Sequence, residues 1–216
     1  MVDSPIPAEG TVFLLDDEPG MLKALTRLLK AEGYSVRAFS AAKAFLESYK
    51  PQAIGCLVLD VAMPEIDGLE LQRRLTHSGA LLPIVFLTGH GDIPMSVQAI
   101  KAGAEDFLTK PVNDADLLRA VRAAVQRCAA QRELIAEAAL LHQRHSTLTA
   151  REREVMAHIV AGELNKVAAA HLGIGEHTIK VHRARVMEKM GVESLADLVR
   201  AAERLNLVIP ANTNKN

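Results

Sequence analysis

Four short stretches of this 216-residue chain carry side chains that can do chemistry together. Asp16, Asp17 and Glu18 close the apolar run that begins at Thr11, and Asp60 closes the run from Ile54. Thr88 and Gly89 end the run from Pro83, and Thr109, Lys110 and Pro111 end the run from Glu105. Singly, each has an ordinary explanation: Asp16-Asp17 can cap a following helix, Asp60 can cap a turn before Met63-Pro64, and Lys110 can be a solvated charge. Together they pose a charge problem. Clustered carboxylates repel, so one stays protonated or a cation neutralises them. Lys110 supplies one positive charge against three carboxylates, and a hard divalent ion with oxygen ligands, most simply Mg²⁺, completes the balance. A carboxylate beside such an ion can attack phosphorus, with the metal and Lys110 neutralising the transferring group and the Thr88 hydroxyl binding a phosphoryl oxygen.

The elements that must position these groups are legible as a period. The runs Thr11–Asp17, Tyr34–Phe39, Ile54–Asp60, Pro83–Thr88 and Glu105–Lys110 are short and β-prone, and three are apolar almost throughout, as strands covered on both faces are. Helical segments over 19–32, 41–49, 68–78 and 94–102 separate them; Leu22, Leu25, Leu28 and Leu29 follow the helical repeat, and Gly33 stands at a C-terminal cap. Strands alternating with single helices predict a doubly wound parallel α/β sheet, which binds ligands beyond the carboxyl ends of its strands.

Composition separates the two halves. Residues 1–125 hold 12 Lys+Arg against 16 Asp+Glu, and the remainder holds 13 against 10, so the front is acidic and the back basic. All five Phe and both Tyr lie at or before Phe107, which leaves the back without the aromatic platforms of single-strand nucleic-acid readers. Cys56 and Cys128 have no metal-ligand or disulfide-framework spacing and suit a reducing compartment. No window approaches a membrane span, and the N-terminus has no signal pattern; a cytoplasmic protein without membrane contact is expected.

From Val112 to Ala161 there is neither Gly nor Pro, which predicts a helical connection to about His145. Leu134 and Leu141 are a heptad apart, as are Cys128 and Ile135, too short a repeat for a coiled coil; packing and a solvated spacer are both open. His142 and His145 have no third ligand for a metal. Thr149-Ala150-Arg151-Glu152 is a capping box opening a helix to about Ala161. Helices over Asn165–Leu172 and Glu176–Met190 flank a Gly173-Ile174-Gly175 turn, a helix-turn-helix pattern, and a last helix runs from about Leu195 to Leu205. On the Glu176–Met190 helix, Ile179, Val186 and Met190 can face inward, leaving Thr178, Lys180, Val181, Ala184, Arg185 and Lys189 outward, with His182 a further donor. Small Ala184 would let the helix sit deep in a major groove, Lys180 and Val181 can reach base edges, and Thr178, Arg185 and Lys189 can reach phosphates. A solvated basic face is the competing explanation.

Two resemblances join these readings. The DDE after the first strand, LDVAMPEIDG around Asp60, LTGHGD at Thr88 and FLTKP at Lys110 resemble, over residues 10–125, the flavodoxin-like receiver domain of bacterial two-component response regulators. That resemblance implies phosphorylation of Asp60 by a sensor histidine kinase. It also implies one Mg²⁺ held by Asp17, Asp60, the Ala62 carbonyl and, partly through water, Asp16. Lys110 would pair with the phosphoryl group across a cis Lys110–Pro111 bond, Gly89 would leave it room, and Thr88 and Phe107 would be a coupled switch pair, although an aromatic in an apolar strand is as readily core. Ala62 and His90 would flank the site. Residues 147–206, with LTAREREV, NKVAA and TIKVHRARVMEKM, resemble the LuxR/NarL-type helix-turn-helix, and the whole is similar to NarL- and FixJ-type regulators, nearest the FixJ, TodT and StyR branch. Gly175 departs from the Ser common there and is a weaker N-cap.

The expected organisation is a receiver over 1–125, a helical linker over 126–146 and an all-α DNA-binding domain over 147–216. The expected function is a non-enzymatic transcription regulator, with at most weak self-dephosphorylation. Phosphate would favour a homodimer through the face of the 94–102 helix, the last strand and the next helix, and the dimer would bind double-stranded promoter DNA and engage RNA polymerase. The final helix, with Leu195, Leu198, Val199 and Leu205, offers a second dimer contact or simple core. The rivals are a phosphorylation-independent regulator with a vestigial receiver, a haloacid-dehalogenase-type phosphatase, which needs Asp where Ala62 stands, and an RNA-binding antiterminator.

Overall fold

The computed structural model of the chain describes residues 10–89 and 93–207, so His90 lies outside the described residues. Five strands, β1 (Thr11–Leu15), β2 (Ser35–Phe39), β3 (Gly55–Asp60), β4 (Ile84–Thr88) and β5 (Asp106–Thr109), form one parallel sheet in the order β2-β1-β3-β4-β5. Helices α1 (Pro19–Ala31), α2 (Ala42–Ser48), α3 (Gly68–His77), α4 (Ile93–Lys101) and α5 (Asp114–Ser146) connect and follow the strands. β3 and β4 are buried along their whole length, which is why their sequences are continuously apolar, whereas edge strand β2 is partly exposed and admits Ser35 and Arg37.

The period of two sorts the strand residues onto two cores. Phe13, Leu57, Leu59, Ile84 and Phe86 pack with Phe45 of α2, Leu71 and Leu75 of α3 and Ala99 of α4. Val12, Leu14, Val58, Val85 and Leu87 pack on the other face with Leu25 and Leu29 of α1 and Leu117, Val121 and Ala124 of α5. Helix α1 ends as Gly33 in the sequence suggests. With φ of 89°, Gly33 donates its N–H to Lys30 O, and Tyr34 N–H reaches Leu29 O, the paired bonds of a Schellman cap.

The chain leaves β1 for β2 on one side, and β3 pairs on β1's other side, so the strand order reverses between β1 and β3. Register puts Leu15 opposite Leu59, so the residues just past β1 emerge beside the end of β3. Thr88 and Thr109 are likewise opposite each other, which brings the ends of β4 and β5 to the same edge.

The chain divides into two compact units, Met1–Glu133 and Leu134–Asn216, and α5 runs through the division without a break. Along the connection Leu134, Ile135 and Leu140 are exposed, Cys128 is buried, and Leu141 packs on the core of the second unit. That unit contains α6 (Ala150–Val160), α7 (Asn165–Leu172), α8 (Glu176–Met190) and α9 (Leu195–Arg204) around Val155, Met156, Ile159, Ile179, Val186 and Met190. The choice left open for the final helix resolves in favour of core: Leu198 and Leu205 are buried, Val199 packs against the cluster, and of the four only Leu195 is exposed.

Gly68 is where the fold and the carboxylate edge meet most closely. A Cβ there would lie 2.7 Å from the Asp60 carbonyl oxygen, 3.0 Å from the Phe86 ring and 3.1 Å from the Val61 Cα, none of which is a flexible tip. Gly68→Ala is therefore expected to cost about 1–3 kcal/mol of receiver stability. Urea unfolding of the full chain followed by Tyr fluorescence isolates that unit, because both tyrosines, Tyr34 and Tyr49, lie in it and the chain has no Trp. A wild-type midpoint would show that the close approach is not a constraint.

Candidate functional site

At the β1–β3 edge two carboxylates are buried that the unfolded chain would leave hydrated: Asp16 and Asp60 are 2% and 4% exposed. Such burial is costly unless each charge finds a partner. The partner is Lys110, delivered by the end of β5. Its Nζ lies 2.8 Å from Asp16 Oδ2, 2.9 Å from Asp60 Oδ2 and 3.3 Å from the exposed Glu18 carboxylate. The peptide after it, Lys110–Pro111, is cis.

The remaining oxygens are held by backbone. Asp16 Oδ1 accepts the Glu18 N–H at 2.8 Å, and Asp60 Oδ1 accepts the Ala62 N–H at 3.2 Å. The first is a local bond at the start of α1, whose N-cap residue Glu18 makes no cap bond with its own side chain, and the other Asp16 oxygen faces Lys110. The second is the local turn bond that the ordinary explanation of Asp60 supposes, but it engages one oxygen only and the other faces Lys110.

Burial is the dominant influence on Asp16 and holds its carboxyl above the usual range, more than the bonds from Lys110 and the Glu18 amide can pull it down. For Lys110 burial works towards neutrality, but bonds to Asp16 and Asp60 reverse it and keep the ammonium charged beyond its ordinary range. The pocket is thus an excess of negative charge with one firm cation.

Asp17 is exposed at the rim, and its carboxylate, with those of Asp16 and Asp60, presents oxygens that all lie within 4.8 Å of one another. That is close to the roughly 3–4 Å ligand spacings around an octahedral Mg²⁺. Ala62 and Gly89 line the same concavity with Thr88 and Lys110. A Cβ at Gly89 would meet nothing within 4 Å, so the space beside it is open. Thr88 is 2% exposed at the end of β4. Phe107 sits opposite Phe86 in the strand register, its ring 6.0 Å from the Phe86 ring, and is half-buried at a groove also lined by Val97 and Ile100. Phe107 thus packs on the core, as the ordinary explanation supposes, and also lines an open groove. Glu18 joins the pocket as the third acid after β1, and Met95, which nothing in the sequence pattern marks, arrives from α4.

The second candidate surface is α8. Ile179, Val186 and Met190 are buried, so Thr178, Lys180, Val181, Ala184 and Arg185 are exposed and His182 is half-buried, as the helical repeat requires. Its N-cap, Gly175, supplies no side-chain bond. Lys180 makes an exposed 3.5 Å pair with Glu176, which holds it weakly.

Lys189 departs from the outward set. Its ammonium is turned inward, 2.6 Å from the buried Glu152 carboxylate and 3.3 Å from Thr147 O, and is not free on the outward face. Glu152 is the acid of the capping box: its Oε2 accepts the Thr149 N–H at 2.9 Å, while Thr149 Oγ1 accepts the Glu152 N–H at 3.2 Å. The cap of α6 and the last turn of α8 are therefore locked by one carboxylate. Arg144, near the end of α5, adds a second tie by donating to Met190 O at the C-terminus of α8.

Compared with known proteins, residues 12–122 match the family described as response regulator receiver domain, and residues 146–202 match the family of bacterial regulatory proteins, luxR family. The chain is 47% identical over 196 residues to the response regulator protein TodT of Pseudomonas putida, covering 91% of this chain and 86% of that protein. It is 40% identical over 202 residues to the transcriptional regulatory protein FixJ of Bradyrhizobium diazoefficiens, covering 93% and 98%. Among solved structures, that of the response regulator StyR superposes with a TM-score of 0.85 at 44% identity, covering 91% of this chain and 99% of that one.

Hydrogen bonding from Lys189, followed by the capping bond from Thr149, holds the Glu152 carboxyl down to about 2 from an ordinary 4.5. A depressed carboxyl stabilises the fold above its unfolded value and loses that contribution as pH falls through the folded one. Glu152→Gln keeps a capping side chain and removes the charge, so it is expected to cost about 1.5–3 kcal/mol at pH 7. The gap to wild type should narrow as pH falls from 4.5 towards about 2. The readout is the part of the urea-induced loss of far-ultraviolet circular dichroism that Tyr fluorescence does not follow. An equal gap at both ends of that range would remove the ion pair as the cause.

Proposed function

Because the chain belongs to the response regulators that join a receiver domain to a LuxR-type DNA-binding domain, we propose that it controls transcription in response to phosphoryl transfer onto Asp60. The observation that carries this reading is the buried Asp60 carboxylate, sharing the Lys110 ammonium with Asp16 at the reversal of strand order and facing the open space beside Gly89. The proposed division is a receiver over 1–125, a linker over 126–146 and a DNA-binding domain over 147–216.

A receiver implies a sensor histidine kinase as phosphoryl donor. An Asp60 oxygen attacks phosphorus as the bond to the kinase imidazole breaks, leaving an acyl phosphate on Asp60. Receiver domains generally bind Mg²⁺ in an acidic pocket, and here Asp17, Asp60, the Ala62 carbonyl and Asp16, partly through water, would hold it. The ion supplies charge neutralisation for the transferring group. Lys110 is placed to transfer its bond from Asp60 to the phosphoryl oxygens, and the Thr88 hydroxyl to donate a hydrogen bond to one of them. Drawing Thr88 inward would admit the half-buried Phe107 further, which makes these two the switch pair. The sole turnover is weak self-dephosphorylation.

The proposed readout is a population shift towards a homodimer through the groove of α4 and β5, where Val97 and Ile100 are exposed. Two α8 helices would then enter successive major grooves, about one turn apart. Lys180 and Val181 would touch base edges, Thr178 and Arg185 phosphates, and His182 would assist; Lys189 remains an internal brace. RNA polymerase is the partner at the promoter. No described helix is long and apolar enough to cross a membrane, and action on DNA places the protein in the cytoplasm.

Incubation with radiolabelled acetyl phosphate and Mg²⁺ is expected to label the wild type at no more than one phosphoryl group per chain and to leave Asp60→Asn unlabelled. Labelling retained in that variant would overturn the assignment of Asp60. Lys180→Ala should weaken binding to the specific duplex by about 1–3 kcal/mol, roughly 5- to 150-fold. Gel-shift titrations at fixed salt that show unchanged affinity and sequence preference would remove α8 as the reading helix.

A further inference from the structure

A second cluster of metal-ligating side chains lies wholly within the DNA-binding unit, apart from the acidic pocket. Its origin is the end of α6. Gly162, with φ of 81°, donates to Ile159 O, and Glu163 N–H reaches back to His158 O, the bond pair of a Schellman cap. This cap sets the side chain beyond the glycine against the one that opens the last helical turn, and the pair is usually apolar. Here it is a carboxylate and an imidazole: Glu163 Oε2 lies 2.8 Å from His158 Nδ1. The final turn of α7 brings His171, whose Nδ1 is 3.1 Å from the same oxygen and whose ring centre is 5.5 Å from that of His158.

We propose that His158, Glu163 and His171 form a binding site for a divalent ion of the zinc class. Two imidazoles and a carboxylate converge with one ligand atom each within 4.8 Å of the others. Around a tetrahedral ion at about 2.0–2.1 Å from each ligand, neighbouring ligand atoms are roughly 3.3 Å apart, so the observed 2.8 and 3.1 Å need open only slightly. Imidazole selects Zn²⁺, Co²⁺, Ni²⁺ or Cu²⁺ over Mg²⁺ and Ca²⁺, which separates this site chemically from the all-oxygen pocket of the receiver. On binding, each imidazole would turn an Nδ1 lone pair to the ion, which takes the place of the direct contacts between the rings and Glu163. The His158 and Glu163 side chains are largely covered, but the His171 side chain is 56% exposed, so an ion has a route in and water fills the fourth position. The ion would clip α6 to α7 and stiffen the frame that carries α8.

The test is titration of the full chain with Co²⁺ in a large excess of Mg²⁺, which occupies the receiver pocket. Wild type is expected to bind one Co²⁺ with the intense visible absorption of a four- or five-coordinate nitrogen–oxygen site, and one equivalent of Zn²⁺ should abolish it. Loss of an outer-shell support already costs about 10–100-fold in metal affinity, so His171→Ala and Glu163→Gln should weaken Co²⁺ binding at least tenfold. His171 is exposed enough for its variant to fold, which circular dichroism checks, and His142→Ala should leave the spectrum unchanged. Absence of the band in wild type, or its survival in a folded His171→Ala, would overturn the proposal. Neither result bears on Asp60, whose labelling is read separately.

Discussion

The receiver is organised around an imbalance of charge that the fold imposes and only half relieves. Register between β1 and β3 forces Asp16 and Asp60 together and out of water, and a single ammonium, Lys110, spans both. Neither carboxylate could stay buried alone at reasonable cost. With Asp17 and Glu18 beside them, four carboxylates gather around this one ammonium. Receiver domains generally bind Mg²⁺ in an acidic pocket, and a surplus of carboxylate oxygens is the donor set such a hard ion takes. The same tension makes the site responsive. Any group that takes Lys110 away from Asp60 changes what holds the ends of β1, β3 and β5 in place.

The surroundings of the pocket follow from that need for close approach. Gly68 lets α3 begin against the Asp60 carbonyl, and the open flank at Gly89 leaves space where a side chain would stand. Thr88 is buried and Phe107 half-buried on neighbouring strands, so a movement at the pocket has a short path to the groove beside α4. In the DNA-binding unit the logic is inverted. Over its apolar core, helix ends are tied together: Glu152 holds Lys189, and Arg144 holds the carbonyl of Met190. The helix that leaves the receiver thus ends as a cap on the helix that presents Lys180 and Arg185.

Local and periodic features were readable in the amino-acid order. Strands β3 and β4 announce themselves by unbroken apolar runs, the capping box by Thr149 and Glu152, the helix stops by Gly33 and by the turn at Gly173. The inward set Ile179, Val186 and Met190 follows from 3.6 residues per turn. Even the convergence of Asp16, Asp60, Thr88 and Lys110 was implied, because parallel strands must deliver their carboxyl ends to one edge.

Side-chain partners across elements had no such rule. Lys189 has the charge and spacing of an outward residue, and only the packing of α6 against α8 turns it towards Glu152. Leu198 and Leu205 have the spacing of an interface, and only the shape of the helical core shows that they fill it. His158, Glu163 and His171 lie too irregularly along the chain to suggest a cluster until the cap of α6 and the end of α7 bring them together. Periodicity is a property of one element and is written in its own residues. Which side chain meets which across two elements depends on how their surfaces interlock, so the amino-acid order determined the strands, helices and carboxylate edge, and the tertiary structure alone decided the brace, the final core and the histidine pair.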